Sequence, residues 1–155
     1  MPTAAKLVSA VLFALIGYGA ARQVEILTAA GAFEPILPHE TLFGSFALIV
    51  SAIGLVSGWL VMGDLVGKGM GVALGSGIQT VVTLVFFAIV LFSIREMILR
   101  AMKMRYHGTF EAIQGMLGLS YDYAHVLLNP AVSGLLVVAG AVAGLVVEAT
   151  ARRWR

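Results

Sequence analysis

Two uncharged runs placed almost end to end constrain this chain more than any other feature. Residues 41–62 and 69–94 contain no Asp, Glu, Lys or Arg, and they are joined through the sequence GDLVGKG at positions 63–69. At about 1.5 Å of helical rise per residue, the runs reach roughly 33 and 39 Å, enough to cross a hydrocarbon core of about 30 Å. So short a connection makes the two helices antiparallel neighbours, with Asp64 and Lys68 in water or headgroups at the bend. Composition agrees. The chain is 60% apolar and 12% charged, against roughly 45–50% and 25% in soluble domains. Its 155 residues leave room for one bundle of about four spans and no separate soluble core. With no cysteine, the chain has no disulfide framework, no thiolate nucleophile and no zinc-thiolate site. A net charge of +2 does not point to nucleic acid.

The first apolar run, residues 7–21, spans the bilayer if its helix begins near residue 4 and Lys6 extends its ammonium to the headgroups. A cleaved signal peptide is the alternative, given the small residues Gly19 and Ala21. Ala10, Ala14, Gly17 and Ala21 lie on one helical face, which favours a retained span. Residues 22–40 carry Arg22, Glu25, Glu34, His39 and Glu40 together with Pro35 and Pro38, and read as an acidic extramembrane loop. In the second span Gly44, Ala47, Ser51, Gly54 and Gly58 form a small-residue seam, and Trp59 falls near its end. The third opens with two glycine ladders, Gly67, Gly71, Gly75 and Gly69, Ala73, Gly77. Its middle holds Ser76, Gln79, Thr80 and Thr83, a polar stripe where an unpartnered amide is costly.

Beyond Ile94 the apolar pattern continues through Met97, Ile98, Ala101 and Met102 while Arg95, Arg100, Lys103 and Arg105 take other faces. This predicts an amphipathic interfacial helix over about 95–106, continuous with the third span, with Glu96 and Arg100 paired at i, i+4. Thr109 then caps a second amphipathic helix over about 110–128, with Phe110, Ile113, Leu117, Ala124 and Leu128 apolar and Glu111, Asp122 and His125 polar. Asn129 and Pro130 start a last span to about residue 147, containing Gly140 and Gly144. The expected fold is an all-α membrane protein: a four-span helical bundle (spans about 4–21, 41–62, 69–94 and 130–147) with interfacial amphipathic helices between spans 3 and 4.

Four spans place Lys6, Lys68 and the arginines at 152, 153 and 155 on one side, and Arg22, Arg95, Arg100, Lys103 and Arg105 on the other. The positive-inside count is balanced. The contrast across the first span and the Arg-rich tail favour cytoplasmic termini. If so, the basic patch lies outside, where it would hold anionic headgroups or a partner.

The chemistry-bearing clusters are modest. His39, His107, His125, Glu34, Glu40, Glu111 and Asp122 share a side but lack metal-ligand spacing, so solvated loop charges are the default and no cofactor is expected. Arg95, Arg100, Lys103 and Arg105 suit headgroups first and a small oxyanion second. The neighbouring Met97, Met102 and Met104 read as packing or lipid-facing residues rather than soft-metal ligands. No nucleophile with its base and no phosphate-cradling loop is visible. The expectation is a non-enzymatic protein.

The opening MPTAAKLV, GWLVMG at 58–63, RYHGTFEA at 105–112 and the closing RRWR together resemble the TrgA family of small bacterial inner-membrane proteins associated with tellurite resistance. The resemblance spans nearly the whole chain and implies an inner-membrane location and a part in tolerance to a toxic oxyanion, without supplying catalytic or binding residues. Lacking cysteine, the chain cannot reduce tellurite through a thiol of its own. Two expectations follow. One is an accessory membrane protein whose partners are the bilayer and a second copy or a membrane protein complex. The other is an oligomeric transporter or channel using the Gln79 stripe as its path.

Overall fold

A computed structural model describes residues 4–31, 45–67, 69–103 and 108–153. Among them run five helices: α1 (Ala4–Ala29), α2 (Phe46–Leu65), α3 (Met70–Met102), α4 (Thr109–Leu127) and α5 (Pro130–Arg153). Helices α1, α2, α3 and α5 are long and apolar enough to cross a membrane. The protein is an all-α, four-span bundle, and helices satisfy every internal backbone group where no water is present to do so.

Small residues decide which helices touch. Along α1 and α2, a Cβ on Gly17 would stand 2.7 Å from the Val50 carbonyl oxygen, and one on Gly58 would stand 2.6 Å from that of Ser9. A Cβ on Gly54 would run into the Phe13 carbonyl. Between α3 and α5 the arrangement repeats: side chains on Gly77 or Gly144 would run into the carbonyls of Gly140 or Ala73. Close backbone approach of this kind maximises dispersion contacts where lipid offers no hydrophobic drive. The α1–α2 and α3–α5 pairs are the main packing units, joined by α1–α5 contacts and by lighter α2–α3 contacts that close the ring. The short 63–69 turn thus makes α2 and α3 neighbours, but the glycine seams give each its principal partner elsewhere. Phe13, Met62, Leu84, Val132 and Val147 fill the interior, while Leu15, Leu48, Val82, Phe86 and Val138 point outward as a lipid-facing surface should.

Several boundaries differ from the sequence expectations. α1 runs eight residues past Ala21 to Ala29, so Arg22 and Glu25 sit on a helix and pair at 2.5 Å rather than in a loop. Residues 32–44, including Glu34, His39 and Glu40, lie outside the described residues. α5 extends past residue 147 to Arg153, whereas α3 continues through Ile94 without a break to Met102, as expected. Gly108, with extended backbone, is the N-cap of α4, and Thr109 is already helical, so no side chain caps that helix. Asn129 does cap α5: its Oδ1 accepts the Ala131 N–H at 3.0 Å.

α4 has the expected amphipathic pattern and adds a buried face to it. Its apolar stripe of Phe110, Ile113 and Leu117 is exposed, whereas Leu119, Tyr123 and Val126 are buried against the bundle. The helix has three faces: a buried one, the exposed apolar arc beside it, and a polar arc with Glu111, Asp122 and His125. Only an interface, with bundle, lipid and water on three sides, suits all three.

Candidate functional site

The expected polar stripe divides on folding. Ser76 and Thr80 turn into the bundle interior, where Ser76 Oγ donates to the Ala73 carbonyl at 3.0 Å and Thr80 Oγ1 to the Ser76 carbonyl at 2.7 Å. Thr80 is fully buried. Both hydroxyls are satisfied within their own helix, a common arrangement for Ser and Thr in apolar surroundings. Gln79 instead faces outward, and Thr83, at the edge of that face, donates to the Gln79 carbonyl at 2.9 Å. Gly75 and Gly71, one and two turns before Gln79, are also exposed and have open space where a Cβ would be. The four residues therefore do not line one path inside the chain; two are packing groups and two mark an outer face.

The basic patch is partly neutralised. Arg100 Nε bonds Glu96 Oε1 at 3.1 Å, and Glu96 is largely buried. Arg95 and Lys103 are exposed, and Arg105 lies outside the described residues. No group of three His or carboxylate side chains that could hold a metal ion occurs among the described residues.

Two polar constellations escaped sequence reasoning. The first closes the end that carries the 63–69 turn. Glu148, nearly fully buried on α5, accepts the Gly67 N–H at 2.8 Å on Oε2 and the Gly69 N–H at 3.2 Å on Oε1, with Arg152 Nε at 3.5 Å. Gly67 and Gly69 have φ of 92° and 110°, which glycine alone adopts without strain, and this turns their N–H groups toward one acceptor. The carboxylate also lies at the N-terminus of α3, where the helix dipole favours it. Lys6 pairs with Asp64 at 2.5 Å across the same end. Ser9 Oγ reaches the Gly58 carbonyl at 2.9 Å, beside the π-helical turn Gly58–Met62.

The second constellation lies at the opposite end. An apolar cavity of about 70 Å³ opens between the spans and α4, walled by Ala21, Val50, Leu84, Ala88, Phe92 and Leu136 among others. Phe46 and Phe92 meet across it with ring centroids 4.9 Å apart. Tyr123 of α4 is the one lining residue with a polar group. Its side chain is buried, and its hydroxyl has no hydrogen-bond partner. Burial, with the Glu96 carboxylate adding to it, pushes the Tyr123 phenol up to about 12, so it is a neutral donor at any physiological pH. One turn away Ser120 Oγ donates to Ser93 Oγ at 3.0 Å, fixing α4 against α3.

In the sequence, a lone Tyr inside an amphipathic pattern carries no signal. A carboxylate closing a long apolar run, with positive-φ glycines elsewhere to cap, could have suggested the Glu148 clasp.

The fold and these sites define a multi-pass integral membrane protein. Comparison with protein-family models, curated proteins and solved structures finds no match.

Proposed function

We propose that this protein is a non-enzymatic accessory protein of the bacterial inner membrane that contributes to tolerance of tellurite or a related oxyanion by binding another membrane component. The oxyanion and the location rest on the resemblance carried by MPTAAKLV, GWLVMG, RYHGTFEA and RRWR. The accessory role rests on one observation: the outward face of α3, where Gly71 and Gly75 leave open space beside the Gln79 amide. An amide facing hydrocarbon gains by meeting a partner helix, and two glycines let that helix come close. Among the described residues the packed positions of Ser76 and Thr80 leave no continuous polar path within one chain, which weighs against transport by one copy. The oligomeric transporter or channel would instead place Gln79 and Thr83 between copies.

The two readings part on Gln79→Leu. The accessory reading predicts normal accumulation of the variant, loss of tellurite resistance and loss of a co-purifying membrane partner from mild detergent. Tellurite uptake by proteoliposomes of the pure protein, abolished by the same substitution, would overturn it in favour of transport. Cytoplasmic termini belong to the same proposal, and labelling of single cysteines introduced at positions 66 and 107 of this cysteine-free chain reads them directly.

A further inference from the structure

α4 is the element that neither the packing of the four spans nor the proposed function uses. We infer that it is a hinged lid with two positions of similar free energy, one docked over the open end of the bundle and one lifted from it into the membrane interface.

Three observations make the docked position a shallow one. α4 packs chiefly on α3 and only lightly on α5, and a neutral hydrogen bond from Ser120 Oγ to Ser93 Oγ at 3.0 Å ties its middle to α3. Docking also leaves defects. An apolar cavity of about 70 Å³ remains between α4 and the spans, so the side chains around it forgo dispersion contacts. The Tyr123 hydroxyl is buried under the docked helix without a hydrogen-bond partner, an arrangement that penalises the buried donor. At the interface, water or a headgroup supplies the missing acceptor. Third, lifting sacrifices little hydrophobic burial, because lipid tails are as apolar as the bundle interior. α4 already carries the exposed apolar arc of Phe110, Ile113 and Leu117 beside its buried face of Leu119, Tyr123 and Val126, so both faces suit lipid. Between the end of α4 at Leu127 and the start of α5 at Pro130 lie only Leu128 and Asn129. Asn129 caps α5 through the Ala131 N–H, an interaction that does not involve α4, which makes this junction the pivot.

The test uses the full chain in lipid nanodiscs and pulsed electron paramagnetic resonance between two spin labels. Gln114→Cys on α4 and Leu48→Cys on α2 place the labels at exposed positions of a chain that has no cysteine of its own. Leu48→Cys with Val138→Cys on α5, also exposed, is the control pair between two spans. The expected result is two distance populations for the α4 pair and a single one for the control pair. Tyr123→Phe, which relieves the unpaired donor while keeping the ring, should shift the α4 populations toward the docked distance by at least about 5-fold. Ser120→Ala, which removes the tie to Ser93, should shift them the other way by about 2- to 10-fold. A single population for the α4 pair, as narrow as that of the control, would overturn the inference. So would a ratio that Tyr123→Phe leaves unchanged or moves toward the lifted position.

Discussion

The two ends of this bundle are held by different means. At the end carrying the 63–69 turn, backbones touch through Gly58, Gly77 and Gly144, Glu148 clamps the turn, and Lys6 meets Asp64. At the other, the spans part around a cavity, α4 closes over it, and a tyrosine hydroxyl is left unpaired. Both ends are made from the same kinds of apolar residue. The difference lies in where glycine permits backbone contact and where larger side chains such as Phe46 and Phe92 hold helices apart. Tight packing and satisfied polar groups make the first end a structural anchor; an unpaired hydroxyl and empty volume leave the second loosely packed.

The contrast breaks most readily at the seam. Gly77→Leu should prevent recovery of monodisperse protein from detergent, because its Cβ alone would overlap the Gly140 carbonyl. Gly71→Leu, on the same helix with open space around it, should fold normally and affect only assembly. Equal yields of the two variants would remove the argument that the seam directs the fold.

Glu148→Gln comes next. The amide can accept one of the two glycine N–H groups but presents its own N–H to the other, leaving buried donors unpaired. Loss of stability should be about 2 kcal/mol, read as a melting temperature lower by roughly 4–8 °C. Lys6→Met should lower the melting temperature less than Glu148→Gln does, because Asp64 is well exposed and such pairs are screened. A larger loss for Lys6→Met than for Glu148→Gln would invert the assignment of the anchor.

The smallest effect is spectroscopic. In an alkaline titration followed by tyrosinate absorbance, Tyr123 should ionise near 12, and Tyr123→Phe should remove that step. Because the folded pKa is raised above the ordinary 10, stability from the neutral phenol is fully present below pH 10 and is lost as the pH rises toward 12.

The spans were legible because lipid demands long apolar helices, a one-dimensional property. The seams were legible for the same reason, since Gly54, Gly58, Gly140 and Gly144 recur at helical spacing and do meet partner backbones. Yet spacing alone cannot say which seam faces inward: Gly71 and Gly75 repeat as regularly as Gly140 and Gly144 but lie on the outer surface. Gln79 and Thr80 are adjacent in sequence and point to lipid and to core. On α4 the apolar stripe of Phe110, Ile113 and Leu117 was legible, whereas the buried face of Leu119, Tyr123 and Val126 was not, because in a membrane an exposed face can be as apolar as a buried one. Tyr123 and Glu148 owe their importance to partners far along the chain, information that local pattern does not hold.

The central claim, an anchored end and an open end on one scaffold, is tested most directly by making the same substitution at both. Ala73 and Ala88 lie on α3, the first buried in the seam against Gly144 and the second on the cavity wall. The measurement is the melting temperature of delipidated Ala73→Leu and Ala88→Leu in the same detergent. Overpacking at a tight contact costs roughly 1–3 kcal/mol or more, so Ala73→Leu should melt at least about 5 °C below wild type or fail to fold. Ala88→Leu, growing into empty space, should melt at or above wild type. Equal losses in the two variants, or a greater loss for Ala88→Leu, would contradict the account.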